Sequence, residues 1–533
     1  MGHRIATVSG RVAGALALGA ALALVWGGTA GATDGDDPSE GTLLPPEGGV
    51  SIVPTDQAPD QPVPAPISDD PQESSGLLDL GDVGALEAVG WALAALASLA
   101  ATGIGITRLT RMLYVWRSPA SLAASGFGPV NGHTSTSFSL LVPTSRRHPG
   151  DLDATLDGLA RLDHPSYEVV AVVAYDDIAN RSVAAEAEAC YPGRVRVFVD
   201  RNLRRGRAAS LNAALDECRG EVVGVFQPGD QVHPRLLRHV DACLADPAVG
   251  AVQGGVRHVL HARRWFAARS VVDQYFWSRS RLQFHAHQHF TPLEPTTSFV
   301  RGQVLRDVGG WDERGVDEAR ELGVRLSVLG IPVTAAYDPE LATRTAAPAT
   351  LRALLRLHHQ RIRGYLQVLR KGVWRRLPTR RQRLQARAML ARPLVEATTT
   401  LAVLSALVGV VVAGAPTAAV VLAVLPALPV PVVVGAELAG LAELGRLEGH
   451  RVRARDRLRL VVSFLPYDLL VSLAALAALP GFLTRGTDAR QPSVPIAPSR
   501  DRRSRLDGMT ADVDVVDLSD RRPQLRAVGD PRR

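Results

Sequence analysis

Between residues 136 and 345, apolar positions follow two alternating patterns. Short β-branched runs at 137–143 (SFSLLVP), 168–174 (EVVAVVA), 195–199 (VRVFV), 221–226 and 332–336 are separated by stretches of helical period. Those helical stretches lie at 151–162, 181–190, 208–218, 234–246 and 317–329. Strand-length apolar runs divided by amphipathic helices predict an α/β domain with a mostly parallel sheet covered on both faces. Sheets of this kind bind ligands beyond the carboxyl ends of their strands. Chemistry is therefore expected in Pro143–Arg147, Tyr175–Asp177, Asp200–Arg207 and Gln227–Asp230. None of those turns holds a P-loop, a G-x-G-x-x-G or a G-x-S-x-G, which argues against an NTPase, a dehydrogenase and a serine hydrolase.

Outside this region the apolar runs are long and unbroken. Residues 12–29 follow Arg4 and Arg11 and end near Ala30-Gly31-Ala32, so 1–32 reads as a signal peptide or a first transmembrane helix. Residues 33–83 are rich in Pro, Asp and Gly in their first part and read as a disordered extracytoplasmic linker. The run 84–106 is long enough to cross a bilayer, and Arg108, Arg111 and Arg117 after it place the following domain, 118–350, in the cytoplasm. A further transmembrane pair is expected over 394–438. The run 461–483, which contains Pro466 and Asp468, crosses or lies in the interface. The tail 485–533 reads as disordered. The pattern describes a multi-pass plasma-membrane protein.

Charge sharpens this picture. The 533-residue chain carries a formal net charge of +7. No acid occurs between Glu340 and Glu396, while Arg344 to Arg392 supply fourteen Arg and Lys. Beside membrane spans, such an apron (351–393, expected as interfacial helices) fits an anionic lipid bilayer better than nucleic acid. Cys190, Cys218 and Cys243 are far apart and read as thiols in a reducing compartment. In FHAHQHF, His285, His287 and His289 would share a face only if extended. The helical pattern before them fans them apart, which argues against a metal site.

The order LLVPTSRR, YEVVAVVAYDD, GRAASLNAAL, GEVVGVFQPGDQVHP, GGWDERGVDEARELGVRL, RIRGYLQVLRKG resembles the membrane-bound family-2 glycosyltransferases of cellulose-synthase-like architecture, over roughly residues 135–480. The resemblance implies a Rossmann-like GT-A fold flanked by transmembrane helices. It also implies a nucleotide-diphosphate sugar donor, a divalent metal (Mg2+ or Mn2+) and a lipid-linked or polysaccharide acceptor.

By the same resemblance, Asp176 and Asp177 stand where a carboxylate contacts the donor's base and ribose, with a solvated turn as the other reading. Arg207, ahead of Leu211 and Asn212, replaces the family's Lys and could meet a phosphate, or simply open a helix at the surface. The family expects two carboxylates directly after Phe226 for its metal. Here stand Gln227, Pro228 and Gly229, and only Asp230 remains as a lone metal ligand or a helix cap. At the family's base triplet this chain has Asp317, Glu318 and Ala319, with Ala319 in the base position. A one-residue shift could aim Glu318 or Asp317 inward; otherwise they favour a helix N-terminus. The family's Q-x-x-R-W, which meets the acceptor sugar and the diphosphate, maps onto Gln360, Arg361 and Arg363. Its tryptophan is missing, and Tyr365 is the nearest aromatic.

Three altered sites on an intact scaffold point to a catalytically weak or inactive protein, a pseudoenzyme of cell-envelope polysaccharide or glycolipid synthesis. Two alternatives stay open. One is an active transferase using Asp176, Asp177, Asp230 and Glu318 in displaced geometry. The other is a scaffold or nucleotide-sugar sensor for a partner synthase or envelope protein.

Overall fold

The structure is a computed structural model. It describes residues 85–116, 136–144, 149–201, 206–259, 264–413, 417–449 and 451–484. The expected leader, linker and tail lie outside the described residues. The chain divides into two compact units, one of Met1–Ile104 with Leu401–Leu428 and the other of Gly105–Thr400 with Pro429–Arg533.

Among the described residues the second unit contains nine strands: β1 (Phe138–Pro143), β2 (Tyr167–Ala174), β3 (Val195–Asp200), β4 (Val222–Val225), β5 (Ala251–Gly254), β6 (Val256–Val259), β7 (Ser298–Arg301), β8 (Val333–Ala336) and β9 (Thr343–Ala346). Seven form one sheet in the order β3-β2-β1-β4-β7-β5-β8, and β6 pairs with β9. Only β7 runs antiparallel to its neighbours. The mostly parallel sheet expected from the sequence is present, with the five expected strands as β1, β2, β3, β4 and β8. Sequence periodicity does not reveal β5, β6, β7 and β9, which are four residues each.

Both faces of the sheet are covered. On β1 and β2, Leu140, Val142, Val169 and Ala171 pack with Leu152, Leu156 and Leu237, while Leu141, Val170 and Val172 pack with Leu211, Leu305 and Leu322. The strand period of two sends neighbouring residues to opposite cores, so near-continuous apolar runs mark these buried strands. One consequence is that β1, β2 and β4 point their carboxyl ends at a single edge, where the candidate site lies.

Among the described residues two helices are long and apolar enough to cross a membrane, Trp91–Leu113 and Ala418–Leu447, and Ala454–Val462 with Phe464–Pro480, bent by 43°, counts as a third if the pair is one span. The first belongs to the helix Ala85–Leu113 and carries Arg108 and Arg111 near its end. Within the first unit, Ser98 Oγ donates to the Leu422 carbonyl at 2.7 Å, a polar tie between apolar helices. The expected pair over 394–438 falls partly on the helix Arg380–Ala413, which is continuous through Pro393. The helical pattern ahead of the histidines is Trp265–Phe276, buried on most sides, running into a π-helical turn, Trp277–Arg281.

Candidate functional site

The turn after β2 exposes Asp176 and buries Asp177. Asp177 N-caps the helix Ile178–Cys190, accepting from the Asn180 amide at 3.3 Å and from Asn180 Nδ2 at 2.7 Å. At the end of β3, buried Asp200 accepts from Ser210 Oγ at 2.6 Å.

Arg207 opens the helix Arg207–Leu215, as expected, but its head turns inward. Nη1 donates to Glu318 Oε1 at 2.9 Å and Nη2 to the Pro295 carbonyl. The structure thus brings a candidate phosphate-binding residue and a candidate base together as an ion pair.

The turn after β4 is closed on itself. Gly229 takes φ +96°, a left-handed conformation suited to glycine. Its amide donates to Thr155 Oγ1 at 2.9 Å and to the Asp151 carbonyl at 3.1 Å. Asp230 is 2% exposed. It caps no helix: the helix Leu236–Leu244 starts after Arg235. Its Oδ2 accepts from the Gln227 amide at 2.7 Å and from Thr296 Oγ1, while Oδ1 makes no well-formed hydrogen bond. Burial pushes the Asp230 carboxyl up to about 6, against the opposing pull of Thr296, the Gln227 amide, Arg207 and Thr345.

Mg2+ and Mn2+ are hard cations held by oxygen ligands. This turn offers one buried carboxylate oxygen, and among the described residues no group of three or more His, Cys, Asp and Glu could hold a metal. The residues present do not fit a resident divalent ion. His285 is buried beside Trp277 and Phe290, whereas His287 Nδ1 lies 3.1 Å from the Tyr114 hydroxyl.

Asp317 N-caps the helix Glu318–Val328, accepting from the Arg320 amide at 3.2 Å and pairing with its guanidinium. Ala319 sits in the apolar core. Across from Asp317 stands Gly364, on the helix Leu351–Lys371. A Cβ there would lie 2.5 Å from Asp317 Cβ, so no side chain fits, least of all tryptophan. Arg320 fills the neighbouring space, its guanidinium 4.2 Å from the centre of the Tyr365 ring. Tyr365 is thereby engaged by a cation. Gln360 is exposed, and Arg361 and Arg363 are half-buried.

Sequence reasoning missed the loop 291–297, which gathers these parts. Gln253, fully buried, holds it by donating to the carbonyls of Thr296 at 3.0 Å and Thr297 at 3.1 Å and accepting from the Glu294 amide at 2.7 Å. The loop then supplies Thr296 to Asp230, the Pro295 carbonyl to Arg207, and Glu294 to Gln274. No residue pattern in TPLEPTT signals this role.

The motifs that read as intact are braces. Asn212 exchanges hydrogen bonds with the Trp311 backbone, both at 2.8 Å. Buried Arg325 bonds Glu321 and donates to the carbonyls of Val308 and Gly310, each at 2.7 Å. Asp312 pairs with Lys371, the only lysine of the chain.

The sheet order and the strand ends are those of a GT-A-like fold. Residues 135–364 match the profile described as "Glycosyltransferase like family 2", and that stretch is a family-2 glycosyltransferase-like domain. Among curated proteins it is similar to beta-monoglucosyldiacylglycerol synthase of Synechocystis sp., with 28% identity over 232 residues, 40% of this chain and 45% of that one. It is also similar to the probable glycosyltransferase YdaM of Bacillus subtilis, with 21% identity over 239 residues, 43% of this chain and 56% of that one. The chain thus spans about half the length of these relatives. Among solved structures, a mannosyltransferase of Pyrobaculum calidifontis in complex with GDP-Man and Mn2+ shares the fold. Its TM-score is 0.52 at 18% identity, over 73% of this chain and 98% of that one.

Proposed function

We propose that this protein is a membrane-anchored family-2 glycosyltransferase homologue that binds a nucleotide-diphosphate sugar on its cytoplasmic domain and transfers the sugar weakly or not at all. One observation carries this reading. Each of the three acids nearest the reacting positions, Asp230, Asp317 and Glu318, is already bound by another part of the same chain. Transfer needs a base with a free lone pair and an electrostatic partner for the leaving diphosphate. Here the base position is Ala319 in the core, the metal position has one sealed carboxylate, and the acceptor position is filled by Gly364, Asp317 and Arg320. Donor binding needs less: Arg207 toward the diphosphate, with Asp176 and its exposed turn toward the base and ribose. The GDP-Man carried by the mannosyltransferase of like fold supports a donor of this chemistry.

A second reading has its own support. The Arg207 side chain keeps 26% of its surface exposed, so its pair with Glu318 is accessible to a competing anion. A donor diphosphate that drew Arg207 away would free Glu318 to act as base, and the protein would be a metal-independent synthase. The relatives named as synthases favour this reading.

Calorimetric titration of UDP, GDP and their sugars into the detergent-purified chain, with and without Mn2+ and alongside a sugar-transfer assay, tests both. Donor binding indifferent to Mn2+ without transfer is expected. Transfer abolished by Glu318→Gln would establish the second reading, and manganese-dependent binding lost in Asp230→Asn would overturn both.

A further inference from the structure

Within the second unit, charged side chains from five helical segments converge beside Asp273. Arg281 Nη1 donates to Asp273 Oδ1 at 3.0 Å. Arg392 Nε donates to Glu396 Oε1 at 2.8 Å, Arg108 lies 3.9 Å from the same Glu396 oxygen, and Arg108 lies 3.8 Å from Asp468. Arg108, Asp273, Arg392, Glu396 and Asp468 each keep between 21% and 32% of the side-chain surface accessible, and Arg281 keeps 8%. Grouped charges that stay reachable in this way border a solvent-accessible opening. Arg361 joins them within electrostatic range of Asp273 and makes no hydrogen bond or ion pair among the described residues. Of Arg111, which acts on Arg392, Nε is buried without a hydrogen-bond partner.

Five arginines, Arg108, Arg111, Arg281, Arg361 and Arg392, thus gather around Asp273, Glu396 and Asp468, with Glu437 within electrostatic range of Arg108 and Glu294 within that of Arg361. Neighbouring groups register these arginines. Burial would raise the Asp273 carboxyl, but Arg281, Arg392 and Arg361 hold it well below the usual carboxylate range. Burial, followed by Arg361, pushes both His258 and His358 down to about 4. Burial with Arg111, Arg392 and Arg281 pushes His285 to about 3.

The opening lies where membrane and water meet. Arg108 and Arg111 end the candidate span Trp91–Leu113, and Asp468 lies in the bent pair. Beyond the arginines the walls turn apolar: Ile362, Leu366 and Ala397 pack with Ala474, Ala475 and Ala478. Charges at such a depth are costly unless paired, and they mark a binding site by default. We infer that this opening binds a lipid through a phosphate-bearing headgroup, the phosphate oxygens on Arg361, Arg392 and Arg281 and the acyl chains along the apolar wall. Arginine's planar fork suits phosphate, and a neutral headgroup would give the unpaired Arg361 guanidinium no anion to meet. The inference rests on the membrane placement proposed above and holds whether or not sugar is transferred.

Native mass spectrometry of the full chain in phosphatidylcholine nanodiscs containing equal small amounts of phosphatidate and diacylglycerol tests it. Phosphatidate should be retained over diacylglycerol. Arg361→Gln should reduce that retention by about tenfold, the effect of one charge-assisted hydrogen bond, while Arg376→Gln on the exposed apron should not. Arg361→Lys keeps the charge and should recover part of the loss. Equal retention of diacylglycerol, or no effect of Arg361→Gln, overturns the inference. Displacement by inorganic phosphate or UDP would assign the opening to a soluble anion and overturn it too. Donor titration on the same preparation reports separately on the nucleotide site.

Discussion

Arg207 Nη1 donates to Glu318 Oε1 at 2.9 Å, across 111 residues of sequence. A half-buried pair of this kind ties the helix that should meet the donor to the helix that should carry the base. If Arg207 reads the diphosphate, Glu318 competes with the donor. Glu318→Gln should then tighten UDP binding by about fivefold, the size of one partly exposed ion pair. Arg207→Ala should weaken it by about tenfold or more. Titration calorimetry measures both, and identical affinities in the two variants would remove Arg207 from the donor site.

Asp230 makes the protein's stability depend on pH in a stated direction. Its folded value, about 6, lies above the ordinary 3.8, so protonation favours the fold. That contribution is full below about pH 4 and is lost as pH rises through about 6, a change of about 3 kcal/mol at 1.36 kcal/mol per unit. Asp230→Asn should flatten this part of the profile in thermal unfolding between pH 4 and 8. A variant profile parallel to the parent's would show that Asp230 is not the titrating group. Thr296→Val, which removes a donor to the carboxylate, should cost about 1–2 kcal/mol at neutral pH.

Gly364→Ala should destabilise the domain by about 1–3 kcal/mol, since the new methyl meets Asp317 and the two helices must part. Gly364→Trp should not restore an acceptor platform and should prevent folding. Melting temperatures decide this; an alanine variant as stable as the parent would mean that the helices separate freely.

Lys371 and Asp312 form a buried ion pair. Lys371→Met should cost about 3–5 kcal/mol, because it removes the cation from a buried carboxylate, and adding Asp312→Leu should recover much of that. Equal destabilisation in the single and double variants, measured by chemical unfolding, would deny the pair its coupling.

Much of the sheet is legible in the sequence because β1, β2, β3, β4 and β8 are apolar and set apart by helices. The strands β5 (AVQG), β6 (VRHV), β7 (SFVR) and β9 (TRTA) are not legible: each is four residues long and mixes polar with apolar. Tertiary context, not local preference, buries them, as with Gln253 holding the loop 291–297. At the site, the sequence marks which residue types are missing but not what replaces them. The close approach of Gly364 to Asp317 and the stacking of Arg320 on Tyr365 join segments that no local pattern relates. The helix cap at Asp317 was open to reading, since an acid ahead of a helical run has few other uses. Asp230 invites the same reading and refuses it, because its partners Gln227 and Thr296 lie in a turn and a distant loop.

The letters that make this chain look like a working enzyme are largely those that hold it up. Asn212, Arg325, Asp312 and Lys371 lock the segment GGWDE to three helices, and losing any of them would threaten the fold whether or not a sugar is ever moved. Such residues can outlast the chemistry they once framed. A genome survey that counts glycosyltransferases by GGWD and ELGVRL is therefore partly a count of sequences able to fold this way, and turnover has to be established from the turn after β4 and the first residues of the helix at 318.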